Sequence, residues 1–152
     1  MRQPRFFMDT SALFAGIWSE GGGGRVLLKL GEAGKVTLLV SSQVLAELDR
    51  TVQAKAPHLI SKAALFLTHS NVTIVSPPAQ NLIDQCIALI NYENDAVVMA
   101  AALQAETEFF VTLDRKHFLD NMQLNAAMPF LLGTPGDSLE WLRTRLIQER
   151  LN

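Results

Sequence analysis

An α/β fold, in the form of a three-layer α/β/α sandwich around a central parallel sheet of about five strands, follows from three observations. Short β-rich runs alternate with helical patterns along the whole chain, which is the arrangement of a parallel sheet between helical layers. The run Val36 to Val40 is β-rich without alternation, as in a strand covered on both faces. The segment Asp95 to Gln104 is apolar nearly all round, as in a buried helix. The 152 residues fit one domain, spanning 1–152. A domain of that length buries roughly 70% of its unfolded surface, enough for a core without disulfides or metal staples.

Taken in order, Arg5 to Asp9 reads as a short buried strand and Thr10 to Trp18 as the helix after it. The four glycines Gly21 to Gly24 read as a break, Arg25 to Ala33 as a second helix, and Gly34 as its C-terminal stop. Val36 to Val40 is the second strand. Ser41 and Ser42 are good caps for a helix reaching about Lys55, which Pro57 ends. His58 to His69 is helical and Val72 to Ser76 a third strand, broken by Pro77 and Pro78. Asn81 to Ile90 is helical, and Asn94 or Asp95 opens the buried helix. Glu108 to Thr112 is a fourth strand and Met128 to Leu132 a fifth. Gly133 to Asp137 turns, with Asp137 or Ser138 capping an amphipathic helix to about Arg150.

Composition removes several classes of protein. Hydrophobic residues make up 49% of the chain, and no segment is polar or repetitive enough to be disordered. The single cysteine, Cys86, excludes a disulfide framework and reads as a small buried hydrophobe. The longest strictly apolar run, Ala96 to Leu103, is far short of the ~20 residues of a membrane helix. Arg2 and Arg5 precede apolar residues in the manner of a signal peptide, but Asp9 interrupts that run too early. The expectation is a cytoplasmic protein without a membrane partner. A net charge of −2 does not advertise nucleic-acid binding, so any basic footprint must be local, for example Arg115, Lys116 and His117.

Four acids stand in places where a charge lowers stability. Asp9 and Asp114 follow apolar strands, at the carboxyl edge where open α/β sheets bind ligands. Glu47 and Asp95 lie near the starts of two helices. Each has an ordinary explanation: Asp9 and Asp114 as helix caps, Asp95 as a favourable charge at a helix N-terminus, and Glu47 as a solvated side chain off the stripe Val44, Leu45, Leu48 and Val52. Periodicity does not separate Glu47 from Asp49. Taken together, the acids make a hard oxygen site suited to Mg²⁺ or Mn²⁺. Without a cation they would repel one another and raise at least one pKa.

The segments that carry these acids resemble the PIN-domain family of small metal-dependent ribonucleases, including the VapC-like toxins. The matching pieces are Met8-Asp9-Thr10-Ser11, Ser42-Gln43-Val44-Leu45-Ala46-Glu47-Leu48, Asn94-Asp95-Ala96-Val97-Val98-Met99-Ala100-Ala101 and Phe110-Val111-Thr112-Leu113-Asp114, with Phe118 shortly after. The resemblance implies a PIN-like sandwich in which Asp9, Glu47, Asp95 and Asp114 are the catalytic, metal-binding quartet, and it selects Glu47 over Asp49. It implies accessory roles for the hydroxyls of Ser11 and Thr112. Local charge adds Arg115, Lys116 or Arg25 as phosphate-steering candidates. The chain departs from the family where a further acid often follows the fourth, since Arg115, Lys116 and His117 stand there and Asp120 lies further on.

The implied activity is endoribonuclease hydrolysis of RNA phosphodiester bonds, by in-line attack of water activated by Mg²⁺ or Mn²⁺. Asp9 and Asp95 would hold the principal metal. The implied partners are an RNA substrate, a small antitoxin if the chain is the toxin of a toxin–antitoxin pair, and a second copy in a homodimer, for which Trp18 and Trp141 offer either interface or core residues. One alternative is a non-catalytic RNA-binding or scaffold module. Another is an aspartyl-phosphate phosphotransferase with Asp9 as nucleophile, although such enzymes usually want a second aspartate where this chain has Ser11.

Overall fold

The computed structural model describes residues 2–152. Its sheet has five strands, β1 (Arg5–Met8), β2 (Thr37–Val40), β3 (Thr73–Ile74), β4 (Phe109–Val111) and β5 (Leu131–Gly133), in the order β3-β2-β1-β4-β5. Every neighbouring pair is parallel. The helices are α1 (Thr10–Trp18), α2 (Gly23–Glu32), α3 (Ser42–Lys55), α4 (Ile60–His69), α5 (Gln80–Ile87), α6 (Glu93–Gln104), α7 (Met122–Ala127) and α8 (Pro135–Leu151). The α1 to α4 helices pack with one another and α8 packs on α2, while α5 packs on α6. Right-handed crossovers put these two groups on opposite faces of the sheet. The three-layer parallel architecture read from the sequence is the one that forms.

The core is centred on β1 and β4. Phe6, Phe7, Met8, Phe110 and Val111 are fully buried. The register pairs Phe6 with Phe109 and Phe7 with Phe110, so successive aromatics meet on alternate faces. On one face Phe7 and Phe110 stack at 5.4 Å, and Phe118 adds a third ring 5.1 Å from Phe110. On the other, Phe6 and Phe109 meet edge to face, and Trp141 of α8 covers both. Trp141 is therefore a packing residue, whereas Trp18 is exposed. Cys86 is fully buried in α5, as expected of a small hydrophobe. Helix α6 buries Ala96, Val98, Met99, Ala100, Ala101 and Ala102, as its all-round apolar pattern required. Among residues 2–152 no helix is long and apolar enough to cross a membrane.

The topology itself selects one position on the sheet. From β1 the chain moves outward through β2 to β3, then crosses to the other side of β1 for β4 and β5. The carboxyl ends of β1 and β4 therefore flank the point where strand order reverses, the crevice in which open α/β sheets bind ligands. Asp9 follows β1 and donates its backbone N–H to Val111 O at 3.0 Å, so the ladder extends to the mouth of that crevice.

Local departures from the sequence reading have physical causes. Glycines expected to form a break instead begin a helix, since α2 starts at Gly23. The reason is a close crossing with α1: a Cβ on Gly24 would stand 2.8 Å from Gly16 N and 3.0 Å from Ala12 O. The helix expected from His58 opens as a 3₁₀ turn, Pro57–Leu59, before α4. The fifth strand forms at Leu131–Gly133 rather than from Met128, because Met122–Ala127 makes a short helix capped by Asn121, whose side chain accepts from Leu124 N–H at 3.0 Å. The last helix is capped by Thr134, not by Asp137 or Ser138. Thr134 and Asp137 form a reciprocal capping box with Pro135 in the first turn. Gly34 ends α2 as expected, with φ +69.

The crossing of α1 and α2 gives a direct test. Gly24→Ala puts a methyl against backbone atoms that cannot swing away, and it should lower the unfolding free energy by about 1–3 kcal/mol in a denaturant titration. Gly21→Ala meets nothing within 4 Å and should leave the midpoint close to that of the parent chain.

Candidate functional site

At the crevice, a cavity of about 500 Å³ is lined by Asp9, Glu47, Asp95 and Asp114 together with residues of α1 and α3. The four acids come from four elements. Asp9 and Asp114 end β1 and β4, Glu47 projects from the second turn of α3, and Asp95 sits in the first turn of α6. Since α3 and α6 lie on opposite faces, the site forms where both helical layers meet over the edge of the sheet. Asp49 lies on the solvent side of α3 and accepts from Gln53. The α3 helix is set by Ser41, whose hydroxyl accepts the Val44 N–H at 3.1 Å.

Asp9 is 7% exposed, and its side chain makes no capping bond to α1. Its Oδ2 accepts instead from the hydroxyls of Thr112 at 2.8 Å and Ser11 at 3.1 Å. Those hydroxyl oxygens in turn accept backbone N–H groups, Asp114 on Thr112 at 3.0 Å and Leu113 on Ser11 at 2.9 Å. Two hydroxyls therefore tie the end of β1 to the turn after β4. Burial pushes the Asp9 carboxyl up to about 6, against the lowering effect of the Thr112, Thr10 and Ser11 hydrogen bonds, and the nearby charge of Glu47 raises it further. Glu47 is half-buried and accepts from Thr10 Oγ1 at 3.0 Å, so it is not a freely solvated side chain.

Asp95 and Asp114 converge on His117. His117 Nδ1 lies 2.6 Å from Asp95 Oδ2 and 3.2 Å from Asp114 Oδ2. The His117 backbone N–H donates to Asp114 Oδ1 at 3.0 Å, so Asp114 does cap the turn that follows, Arg115–Leu119. The Tyr92 ring lies against the imidazole with centroids 4.0 Å apart. Desolvation raises the Asp95 carboxyl above its ordinary value, His117 opposes that rise, and the charges of Asp114 and Glu47 add to it.

Among the described residues, the side chains whose ligand atoms lie within 4.8 Å of one another are Asp95, Asp114 and His117. Asp9 and Glu47 line the same cavity outside that group. Asp9 and Asp95, the pair expected from the sequence to hold the principal metal, both line this cavity, and the close cluster around His117 includes Asp95 but not Asp9. His117, read from the sequence as part of a local basic footprint, stands inside the acidic site instead. The signal was its spacing: three residues beyond Asp114, one turn brings it back onto the same side.

The basic residues behave differently from expectation. Arg25 does not face the cavity. It is 7% exposed, donates from Nε to Gly16 O and from Nη2 to Ile17 O, and lies 4.2 Å over the Phe66 ring, so it closes the C-terminal end of α1. Arg115 is exposed and pairs with Asp120 at 3.4 Å, and Lys116 approaches the Tyr92 ring. The cation that lines the cavity is Lys55.

The donor set fits a divalent cation. Two carboxylates, Asp9 and Asp95, are held above their ordinary pKa by burial and by like-charged neighbours, which is the state of acids short of countercharge. Hard carboxylate oxygens in that number suit Mg²⁺ or Mn²⁺.

Comparison with known proteins places the chain in a family. The profile of the PIN domain family matches residues 5–116. The chain belongs to the PIN domain family. No curated protein sequence matches it. Among solved structures, it is similar to VapBC2 from Rickettsia felis, described as bound to a DNA fragment from the promoter, at 22% identity and a TM-score of 0.64, over 86% of this chain and 98% of that one. It is similar to PAE2754 from Pyrobaculum aerophilum at 15% identity and a TM-score of 0.59, over 93% and 96%. It is also similar to VapC20 from Mycobacterium tuberculosis, described as a sarcin-ricin loop cleaving toxin, at 20% identity and a TM-score of 0.52, over 73% and 91%. At these identities the likeness is one of fold.

Two measurements test the wiring of Asp9. Its folded pKa is raised, so the native state holds a proton that the unfolded chain has released between pH 3.8 and about 6. Stability should fall as pH rises through that window and level off above it, by about 3 kcal/mol. Asp9→Asn keeps an acceptor for Ser11 and Thr112 and removes that penalty. The variant should melt above the parent at pH 7 and match it near pH 3.5, by calorimetry at both values. Thr112→Val should lose about 1–3 kcal/mol of stability, because it leaves the Asp114 amide without its acceptor and Asp9 without a donor.

Proposed function

We propose that this PIN-domain protein is a divalent-metal-dependent endoribonuclease that hydrolyses RNA phosphodiester bonds. The observation that carries this reading is the convergence of Asp9, Glu47, Asp95 and Asp114, from four separate elements, on one cavity at the strand-order reversal. Asp9, Glu47, Asp95 and Asp114 would hold Mg²⁺ or Mn²⁺. When bound, the cation supplies an activated water and neutralises charge on the scissile phosphate.

The chain's own residues do the rest. Ser11 and Thr112 orient the Asp9 carboxylate and keep it charged against burial. Thr10 fixes Glu47 toward the cavity. His117 Nδ1 lies within 3.2 Å of both Asp95 and Asp114 and keeps the two carboxylates together. Lys55 brings positive charge to the far end of the cavity. Arg115 is an accessory phosphate contact that must leave Asp120 to act.

The similarity of fold to VapBC2 and VapC20 supports a biological role as the toxin of a toxin–antitoxin pair, with a small antitoxin as partner; a homodimer is the assembly we propose with it. A single PIN-like domain over residues 1–152 and a cytoplasmic location complete this reading. A second reading, an RNA-binding module without turnover, is favoured by one observation: an imidazole occupies the space between Asp95 and Asp114.

The two readings separate in one experiment. The parent chain should cleave RNA with Mn²⁺ or Mg²⁺ and lose cleavage in EDTA. Asp9→Asn and Asp95→Asn should each reduce cleavage at least about a thousandfold with the melting temperature unchanged or higher. Mn²⁺ should raise the melting temperature of the parent more than that of Asp95→Asn. Undiminished cleavage by the purified variants overturns the nuclease reading, and RNA binding without cleavage in the parent selects the second.

A further inference from the structure

We propose that Phe14 and Trp18 form a stacking ledge for an unpaired nucleobase of the RNA, with Lys55 contacting the adjoining phosphate. The identity of the ligand rests on the nuclease reading above; the ledge itself rests on geometry. Thr10, Phe14 and Trp18 are spaced four apart on α1, and Glu47, Thr51 and Lys55 are spaced four apart on α3, so each set lies on one helix face. All six line the same cavity. Thr10 bonds Glu47 at one end, and the Lys55 ammonium stands 6.0 Å from the Phe14 ring centroid toward the other. The two faces thus form the walls of one groove.

The chemistry changes along this groove. Its first end carries the carboxylates. Its other end holds no acid, but two aromatic rings and an exposed ammonium. Phe14 and Trp18 lie at 5.8 Å and 25° to one another, which is a stacked pair. His58 meets the indole edge-on at 6.2 Å and 66°. Yet Trp18 remains 54% exposed, an unusual state for an indole already packed on one side. An aromatic plane beside a flexible cation is the combination that holds single-stranded nucleic acid, with the ring taking a base and the cation its backbone. Between Thr10 and Trp18 the helix rises about 12 Å, so one oligonucleotide can reach both the acids and the ledge.

A base can stack on Trp18 only if it is unpaired, so the ledge takes a base from a single-stranded or looped stretch and not from a duplex. Charge decides between RNA and the other occupant of such a groove, an apolar peptide. A peptide side chain could fill the aromatic end, but a negatively charged strand also answers Lys55.

The test uses the full chain with Trp141→Phe, which leaves Trp18 as the sole tryptophan of the two. With Asp9→Asn added and Mg²⁺ present, a short single-stranded oligoribonucleotide should quench Trp18 fluorescence, and the blunt duplex of the same sequence should require at least about tenfold higher concentration. In the cleaving chain, Trp18→Ala should raise KM about five- to hundredfold with kcat nearly unchanged, and Trp18→Phe should recover most of it. Lys55→Ala should lower the salt dependence of binding. Equal quenching by duplex and single strand, or an unchanged KM in Trp18→Ala, overturns the ledge while leaving the nuclease reading intact. Quenching by single strand in a chain that cleaves no RNA supports the ledge and overturns the nuclease reading instead. Quenching by an apolar peptide but not by RNA overturns the ledge as a nucleobase site.

Discussion

Burying the Asp9 carboxylate at the end of β1 takes a charge out of water, and only hydrogen bonds to the charged form keep that tolerable. Ser11 and Thr112 supply those bonds, and both hydroxyls are themselves fixed by backbone N–H groups of the turn after β4. The same four contacts therefore set the position of Asp9, the path of residues 112–114 and the placement of Asp114 and His117. Each hydroxyl donates to the carboxylate and accepts an amide, which fixes the direction of every bond in the relay. Loss of one partner would leave buried polar groups unmatched rather than merely remove a contact.

Around that relay the molecule stores electrostatic tension. Four carboxylates line one cavity, and burial holds two of them, Asp9 and Asp95, above their ordinary pKa. The rigid frame beneath them is what permits this. Fully buried Phe6, Phe7, Phe110 and Phe118 and the parallel pairing of β1 with β4 leave the strand ends no room to spread apart. Part of the imbalance is relieved internally by His117 lying between Asp95 and Asp114. The remainder favours any cation that enters, which links the stability of the fold to the chemistry of the site.

The groove walls show a second use of helical periodicity. On α1 and α3, residues on the core side build the three layers, while those on the crevice side build a surface graded from acidic to aromatic and basic. Arg25 of α2 carries no phosphate role and instead closes the last turn of α1 just before Trp18, which steadies the element that bears the ledge.

The amino-acid sequence by itself determined the layering, because periodicity reports burial directly. The unbroken β-rich run at 36–40 and the all-round apolar stretch at 95–104 could be satisfied only inside a parallel α/β sandwich. It also placed Asp9 and Asp114 at strand ends, and its family motifs carried Glu47 and Asp95. Boundaries and caps were less legible. The box formed by Thr134 and Asp137 depends on a short-range pairing that several candidate caps shared, and the Gly23–Gly24 start of α2 depends on how closely α1 passes. Only the tertiary structure decided that His117 sits between two carboxylates, that Arg25 is buried as a helix closure, and that Phe14, Trp18 and Lys55 share a groove with the acids. Those facts depend on contacts between elements far apart in the chain. Local propensity and spacing carry no information about which faces of two remote helices will meet.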